Sequence, residues 1–165
     1  MPVASAQGDA KRGVYLAKAA GCQGCHTEAK KGAVPYAGGR GLKTPFGTFY
    51  GPNITPHPGA GIGRWSEADF LRALRSGLRP DGAHYYPAFP YPSFTRITDA
   101  DARDLWAFFR TLPPHARPNR AHELRFPLDL RFMLGVWKWM YFSRGPFVAD
   151  ASRTPAVNRG AYLVD

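Results

Sequence analysis

Apolar residues recur with helical spacing in four stretches of the chain. Between Gly8 and Gly21, Val14, Leu16, Ala17 and Ala20 fall on or near one side of a short helix, with Asp9 as its N-cap and Gly21 as its stop. Ser66-Glu67-Ala68-Asp69 has the form of a capping box. It predicts a second helix from about Glu67 to Ser76, with Phe70, Leu71 and Leu74 inward and Gly77 closing it. A third helix starts after Thr98. Asp99 and Asp101 complement its N-terminal dipole, Leu105, Trp106, Phe108, Phe109 and Leu112 form its inward face, and Pro113-Pro114 ends it. Leu128 to Phe142 reads as a fourth, very apolar helix containing Arg131 and Lys138. It is shorter than the roughly 20 residues that cross a bilayer. Its apolar face is expected either to pack on the preceding domain or to meet a membrane surface or a partner. Residues 30–63 and 78–97 lack such spacing and are dense in Gly and Pro, so they read as irregular loops.

Gly (18) and Pro (16) supply about a fifth of the 165 residues, which predicts ordered loops rather than more helix. Hydrophobic residues at 44% support a packed core and exclude wholesale disorder. The net charge of +10 suits an acidic partner. Basic residues outnumber acidic ones by 7 to 2 in residues 1–60 and by 8 to 4 in residues 117–165, around a nearly neutral middle. They form no run or stripe, and no nucleic-acid motif accompanies them. Nucleic acid is therefore not an expected partner, whereas an acidic protein face or an anionic membrane surface is.

Both ends carry signals. Ala4-Ser5-Ala6 fits the small-residue pattern of a signal-peptidase site, so residues 1–7 read as a leader remnant or a disordered start. Arg159-Gly160-Ala161-Tyr162-Leu163-Val164 repeats Arg12-Gly13-Val14-Tyr15-Leu16-Ala17 at four of six positions. The first copy opens the helix that leads into Cys22. The second is expected to open another, similar module.

The residues that carry chemistry are Cys22-Gln23-Gly24-Cys25-His26. Two thiols three positions apart can each add across one vinyl group of a haem. The adjacent imidazole then approaches the iron from one face, which makes C-x-x-C-H the attachment pattern for c-type haem. A thioredoxin-type pair would sit in a βαβ context, and here a helix precedes and loops follow. A zinc site would need two further ligands, and the chain has no other Cys. One covalently attached haem c is expected, on Cys22 and Cys25, with His26 as the proximal iron ligand. Trp65, Phe70, Tyr85, Tyr86, Phe89, Trp106 and Phe109 are candidates to wrap it, each also readable as plain core.

The order helix, C-x-x-C-H, loop, helix, proline-rich loop, helix resembles the class I cytochrome c fold. More narrowly, Thr44-Pro45-Phe46-Gly47-Thr48, Pro52-Asn53-Ile54-Thr55-Pro56, Gly61-Ile62-Gly63 with Trp65 to Phe70, Arg79-Pro80-Asp81-Gly82, Tyr86-Pro87-Ala88-Phe89-Pro90-Tyr91 and the two Arg-Gly-x-Tyr-Leu segments are similar to the cytochrome c subunits of membrane-bound bacterial dehydrogenases. The resemblance covers nearly the whole chain. It implies a mostly α fold with long irregular loops and a C-terminal helical extension. Residues 8–116 would form the haem domain, 117–158 an extension with the apolar helix, and 159–165 the truncated start of a second haem domain. It also implies an electron-transfer role without substrate chemistry. Electrons would come from a dehydrogenase catalytic subunit and go to downstream haem domains or another acceptor in the respiratory chain. The location would be periplasmic, with attachment to the inner membrane through missing segments or partner subunits.

Family members often carry Met in the Tyr-Pro-Ala-x-Pro-Tyr stretch as the sixth iron ligand, and Phe89 stands there in this chain. The loop around it holds no Met and one imidazole, His84. Met133 and Met140, seven residues apart on the apolar helix, share a face and are alternative distal candidates. His57, His115 and His122 are further options. With no ligand there, the iron would have an open sixth position, and the chain would be a haem enzyme or a gas or redox sensor.

Overall fold

The computed structural model describes residues 8–164, so the readings placed on residues 1–7 lie outside the described residues. In chain order the described elements are α1 (Ala10–Ala19), α2 (Cys22–His26), β1 (Gly41–Thr44), β2 (Gly47–Tyr50), α3 (Glu67–Ser76), α4 (Tyr91–Phe94), α5 (Asp99–Thr111), β3 (Glu123–Leu124), α6 (Met133–Tyr141) and α7 (Pro155–Val164). The fold is mostly α, as the periodicity predicts. It divides into two units. The first takes the chain up to Gly41, then Tyr50–Arg64 and Asp99–Arg120. The second takes Leu42–Phe49, Trp65–Thr98 and the chain from Ala121 onward.

The first unit is built on α1 and α5. The Asp9 carboxylate accepts from the Lys11 and Arg12 amides at 2.8 and 3.2 Å, satisfying two of the helix's orphan donors. Gly21, at φ +65°, ends the segment. Where α1 meets α5, Gly13 has no side chain because none fits. A Cβ there would collide with the Asp104 carbonyl and the Phe108 Cβ. The buried carboxylates of Asp101 and Asp104 are answered from α1: Arg12 pairs with both, and the Asp9 amide donates to Asp104 at 2.7 Å. A buried carboxylate without such partners would be strongly destabilising. Leu16, Ala17, Tyr36, Ile62, Leu105, Phe108 and Phe109 form the core, with the Tyr36 ring edge-on to Phe108 and Phe109 at 5.6 Å each. Trp106 and Leu112, expected inward, are only half-buried. The Trp106 ring instead lies under the Arg110 guanidinium.

In the second unit Ser66 and Asp69 form the predicted capping box, and α3 runs from Glu67 to Ser76 as expected. Phe70, Ala73, Leu74, Tyr86 and Tyr91 make its core, joined by Phe49. Lys138 of α6 reaches the C-terminal end of α3. Its ammonium donates to the Ser76 and Gly77 carbonyls at 2.6 and 2.7 Å and lies 4.6 Å from the Tyr91 ring centre. A cation at that end meets the negative pole of the helix dipole, and the two carbonyls replace the water it loses.

Three elements depart from the sequence reading. The stretch read as loop contains the β1–β2 hairpin, whose Thr44 hydroxyl donates to the Gly47 carbonyl at 2.8 Å across the turn. β3 adds antiparallel to β2, with Thr48 opposite Glu123, to make a sheet ordered β1-β2-β3. Strands this short leave no readable alternation. The proline-rich loop holds one short helix, α4. The apolar helix begins at Met133 and not at Leu128, because the Tyr86 hydroxyl donates to the Asp129 carbonyl. The Met133 amide then bonds Leu130, closing turns in place of the first helical rungs.

Candidate haem attachment site

The first unit assembles the predicted attachment motif. After α1 ends at Gly21, the chain turns into α2, which carries Cys22, Cys25 and His26 within one and a half turns. Positions three apart lie on one side of a helix, so the two thiols stand together, both free and half-buried. His26 Nδ1 lies 2.7 Å from the Pro52 carbonyl oxygen. A carbonyl can only accept, so Nδ1 carries the proton and Nε2 keeps the lone pair a metal needs. The Pro52 segment comes this close because Gly51 packs against the Cys25 carbonyl, where a Cβ would overlap it. The Gly38 amide holds the same region from the other side, donating to the His26 carbonyl at 2.7 Å.

Asn53 fixes the position of Pro52. Its side-chain nitrogen donates to the His115 and Arg117 carbonyls at 2.7 and 3.0 Å. Its side-chain oxygen accepts from the Thr55 amide and hydroxyl, and its own amide donates to Asn119. The Pro-Asn-Ile-Thr-Pro stretch is thus a latch between residues 52–56 and 115–119. Sequence reasoning noted the stretch but missed this role, since a main-chain acceptor such as Pro52 leaves no mark in the residue pattern.

Burial pushes the Cys22 thiol up to about 11 and lowers the His26 pKa, the Pro52 hydrogen bond opposing the latter in part. Both groups are therefore neutral near pH 7, and neutral imidazole is the form that ligates. Two adjacent thiols beside an imidazole already locked in its ligating tautomer fit a covalently held haem.

Close by, Arg117 grips the Glu28 carboxylate with two hydrogen bonds, at 2.7 and 2.9 Å, and Lys30 adds a third contact. These hold the Glu28 carboxyl at about 2, against an ordinary 4.5. A depressed carboxyl adds stability that is present above pH 4.5 and is lost as pH falls through about 2. Glu28→Gln is expected to reduce the acid-side fall in the thermal midpoint over that window, with little change in its slope above pH 5. Thermal denaturation at a series of pH values checks this.

The other predicted ligands have local occupations. His57 Nδ1 accepts from the Gly59 and Ala60 amides, and His115 Nδ1 from the Arg117 amide. The His122 ring packs edge-on to Phe49 and Tyr86. Within the second unit, His84 lies beneath α6: its Nε2 is 3.6 Å from where a Cβ on Gly135 would sit, and its carbonyl accepts from Arg131 at 2.9 Å. His84 Nδ1 is buried with no hydrogen-bond partner, and burial and the nearby Lys138 charge lower its pKa. Phe89 stands in an aromatic cluster with Tyr85, Tyr91 and Phe94. Met133 and Met140, on α6, are about half exposed.

A mostly α chain with a helix-borne thiol pair and a carbonyl-oriented imidazole has the parts of a covalent-haem electron carrier. The sequence profile of the family described as Cytochrome c matches residues 10–113. The chain is 47% identical over 157 residues to the cytochrome c subunit of the quinone alcohol dehydrogenase of Gluconobacter oxydans, covering 94% of this chain and 32% of that protein. It is 41% identical over 166 residues to the fructose dehydrogenase cytochrome subunit of Gluconobacter japonicus, covering 99% of this chain and 34% of that one. With a dihaem c-type cytochrome of Cereibacter sphaeroides it shares 42% over 162 residues, 96% of this chain and 54% of that one.

The chain belongs to the cytochrome c family. It spans between about a third and about half of the length of these relatives. The family's cofactor is haem c, and the named relatives are cytochrome subunits of dehydrogenases, which is consistent with electron relay and does not favour the reading as a haem enzyme or sensor. Among the described residues no helix is long and apolar enough to cross a membrane.

Proposed function

We propose that this chain is a periplasmic single-haem module of a dehydrogenase's cytochrome subunit. It takes single electrons from the catalytic subunit and passes them toward further haems and the respiratory chain. The observation that carries the reading is His26, whose Nδ1–H is committed to Pro52 and whose Nε2 is thereby free to bind the iron of a haem that Cys22 and Cys25 would hold through thioether bonds. Haem supplies the reversible one-electron couple. The protein would hold the ring through Cys22 and Cys25, and its Pro52 carbonyl orients the His26 imidazole. The test is maturation of the whole chain in a host that attaches haem c. One haem per chain, resistant to acidified organic solvent, is expected. Pigment that extracts into the solvent would overturn the reading.

The sixth iron ligand in this proposal would be His84, with Met133 or Met140 as the alternatives. Support for His84 comes from its Nδ1, which is buried with no hydrogen-bond partner. His84→Gln is expected to change the absorption spectrum and the reduction potential of the haem-loaded chain, and Met133→Leu and Met140→Leu to leave both as they are. An unchanged spectrum in His84→Gln, with a change in either methionine variant, would move the ligand to that methionine.

We also propose that residues 8–116 are the haem domain, 117–158 an extension, and 159–165, at the end of α7, the start of a further module. α7 carries the repeated Arg-Gly-x-Tyr-Leu segment, yet none of its residues is buried and nothing lies within 4 Å of a Cβ placed on Gly160. The equivalent Gly13 is pressed against α5. An unfilled copy of a packing glycine supports a helix of the α5 type as its missing counterpart.

A further inference from the structure

We infer that α6 and its flanks form a peripheral membrane contact, seated on an anionic lipid surface. One side of α6 is fully engaged. Lys138 is anchored on the end of α3, the Phe142 ring packs edge-on to Tyr91 at 5.2 Å, and Gly135 faces His84, whose Nε2 is 3.6 Å from where a Cβ on Gly135 would sit. The adjoining side carries large apolar residues in the open: Phe132 is 74% exposed, Val136 56% and Trp139 86%. At 100° per residue these three fall within a sector of about 60°, so they form one stripe. Phe126, also exposed, lies just ahead of the helix. Met133, itself exposed, lies about 60° round the helix from Val136 and about 120° from Trp139, beside the stripe and not on it.

Charge selects the occupant. Exposed Arg125 and Arg144 bracket the helix, and residues 125–148 hold four basic side chains against one acidic, Asp129. An apolar stripe with Phe and Trp, flanked at both ends by arginine on a chain of net charge +10, matches a surface that is apolar below and uniformly negative above. A nine-residue helix is only about 14 Å long, so it would lie in the plane of the headgroups and not cross them. The inference does not depend on which residue ligates the iron.

The matured whole chain is to be floated with vesicles of phosphatidylcholine containing phosphatidylglycerol, and with vesicles of phosphatidylcholine alone. Association with the anionic vesicles that weakens with added salt is expected, together with weak or no association with the neutral ones. Val136→Asp with Trp139→Asp should cut anionic-vesicle binding by about tenfold or more. Arg125→Glu with Arg144→Glu should restore the neutral-vesicle level. Both pairs are exposed, so haem content and thermal midpoint should stay at the wild-type values and report a folded protein. Absence of anionic-vesicle binding, or equal binding by the Val136/Trp139 variant, would overturn the inference. So would a stripe that instead governs dimerisation of the chain or its association with the purified dehydrogenase subunit.

Discussion

Cys22→Ala combined with Cys25→Ala is expected to give a colourless chain. The two thiols stand on one side of α2 and are the only cysteines present, so no other residue can form the thioether bonds. His26 alone would leave a haem bound by one axial bond and packing, which acidified solvent removes. The loss is structural as well as chromatic. α2 has no fully buried residue, and the Pro52 and Gly38 hydrogen bonds with the Gly51 contact are what secure it when no ring is attached. A group that binds only the folded state stabilises that state, and its removal should lower the thermal midpoint. The measurement pairs haem content after extraction with thermal denaturation. Retained, solvent-resistant pigment in the double variant would contradict the expectation.

The second large effect lies at the α1–α5 junction. Gly13→Val is expected to cost about 3 kcal/mol, because the added carbons meet the Asp104 main chain, which cannot move without disturbing the Arg12 and Asp9 contacts to its side chain. For a chain of this size that is a fall of roughly 6–12 °C in thermal midpoint. Gly160→Val is the control. It occupies the same place in the repeated segment but has open space around it, so its midpoint should shift by no more than about 2 °C. Similar losses in both variants would mean that helix propensity, and not the close approach of α5, decides the effect.

Much of the helical frame was legible because its signals are local. Asp9, the Ser66–Asp69 box, Gly77 and Pro113 each act within a turn of their own position, and α1, α3 and α5 begin and end where those residues place them. The hairpin was not legible, since four-residue strands beside a Thr-Pro-Phe-Gly turn carry no periodic signal. The start of α6 was overread because its apolar run continues through residues whose carbonyls Tyr86 and local turns had already claimed. At the site, spacing alone identified the thiol pair and the imidazole. The partners that orient the imidazole are Pro52, through its main chain, and Asn53, through contacts 62 to 66 residues away, and neither interaction is written in local sequence.

The Asn53 latch therefore gives the electrochemistry a remote lever. The strength of the Pro52 acceptor sets how much electron density the imidazole ring can offer a metal, and the next residue, Asn53, is tied through its side chain to the His115 and Arg117 carbonyls. Substitutions in that outlying strap could drift the carrier's midpoint in small steps while every atom touching the porphyrin stayed the same. Tuning of this kind would let one scaffold match donors of different driving force.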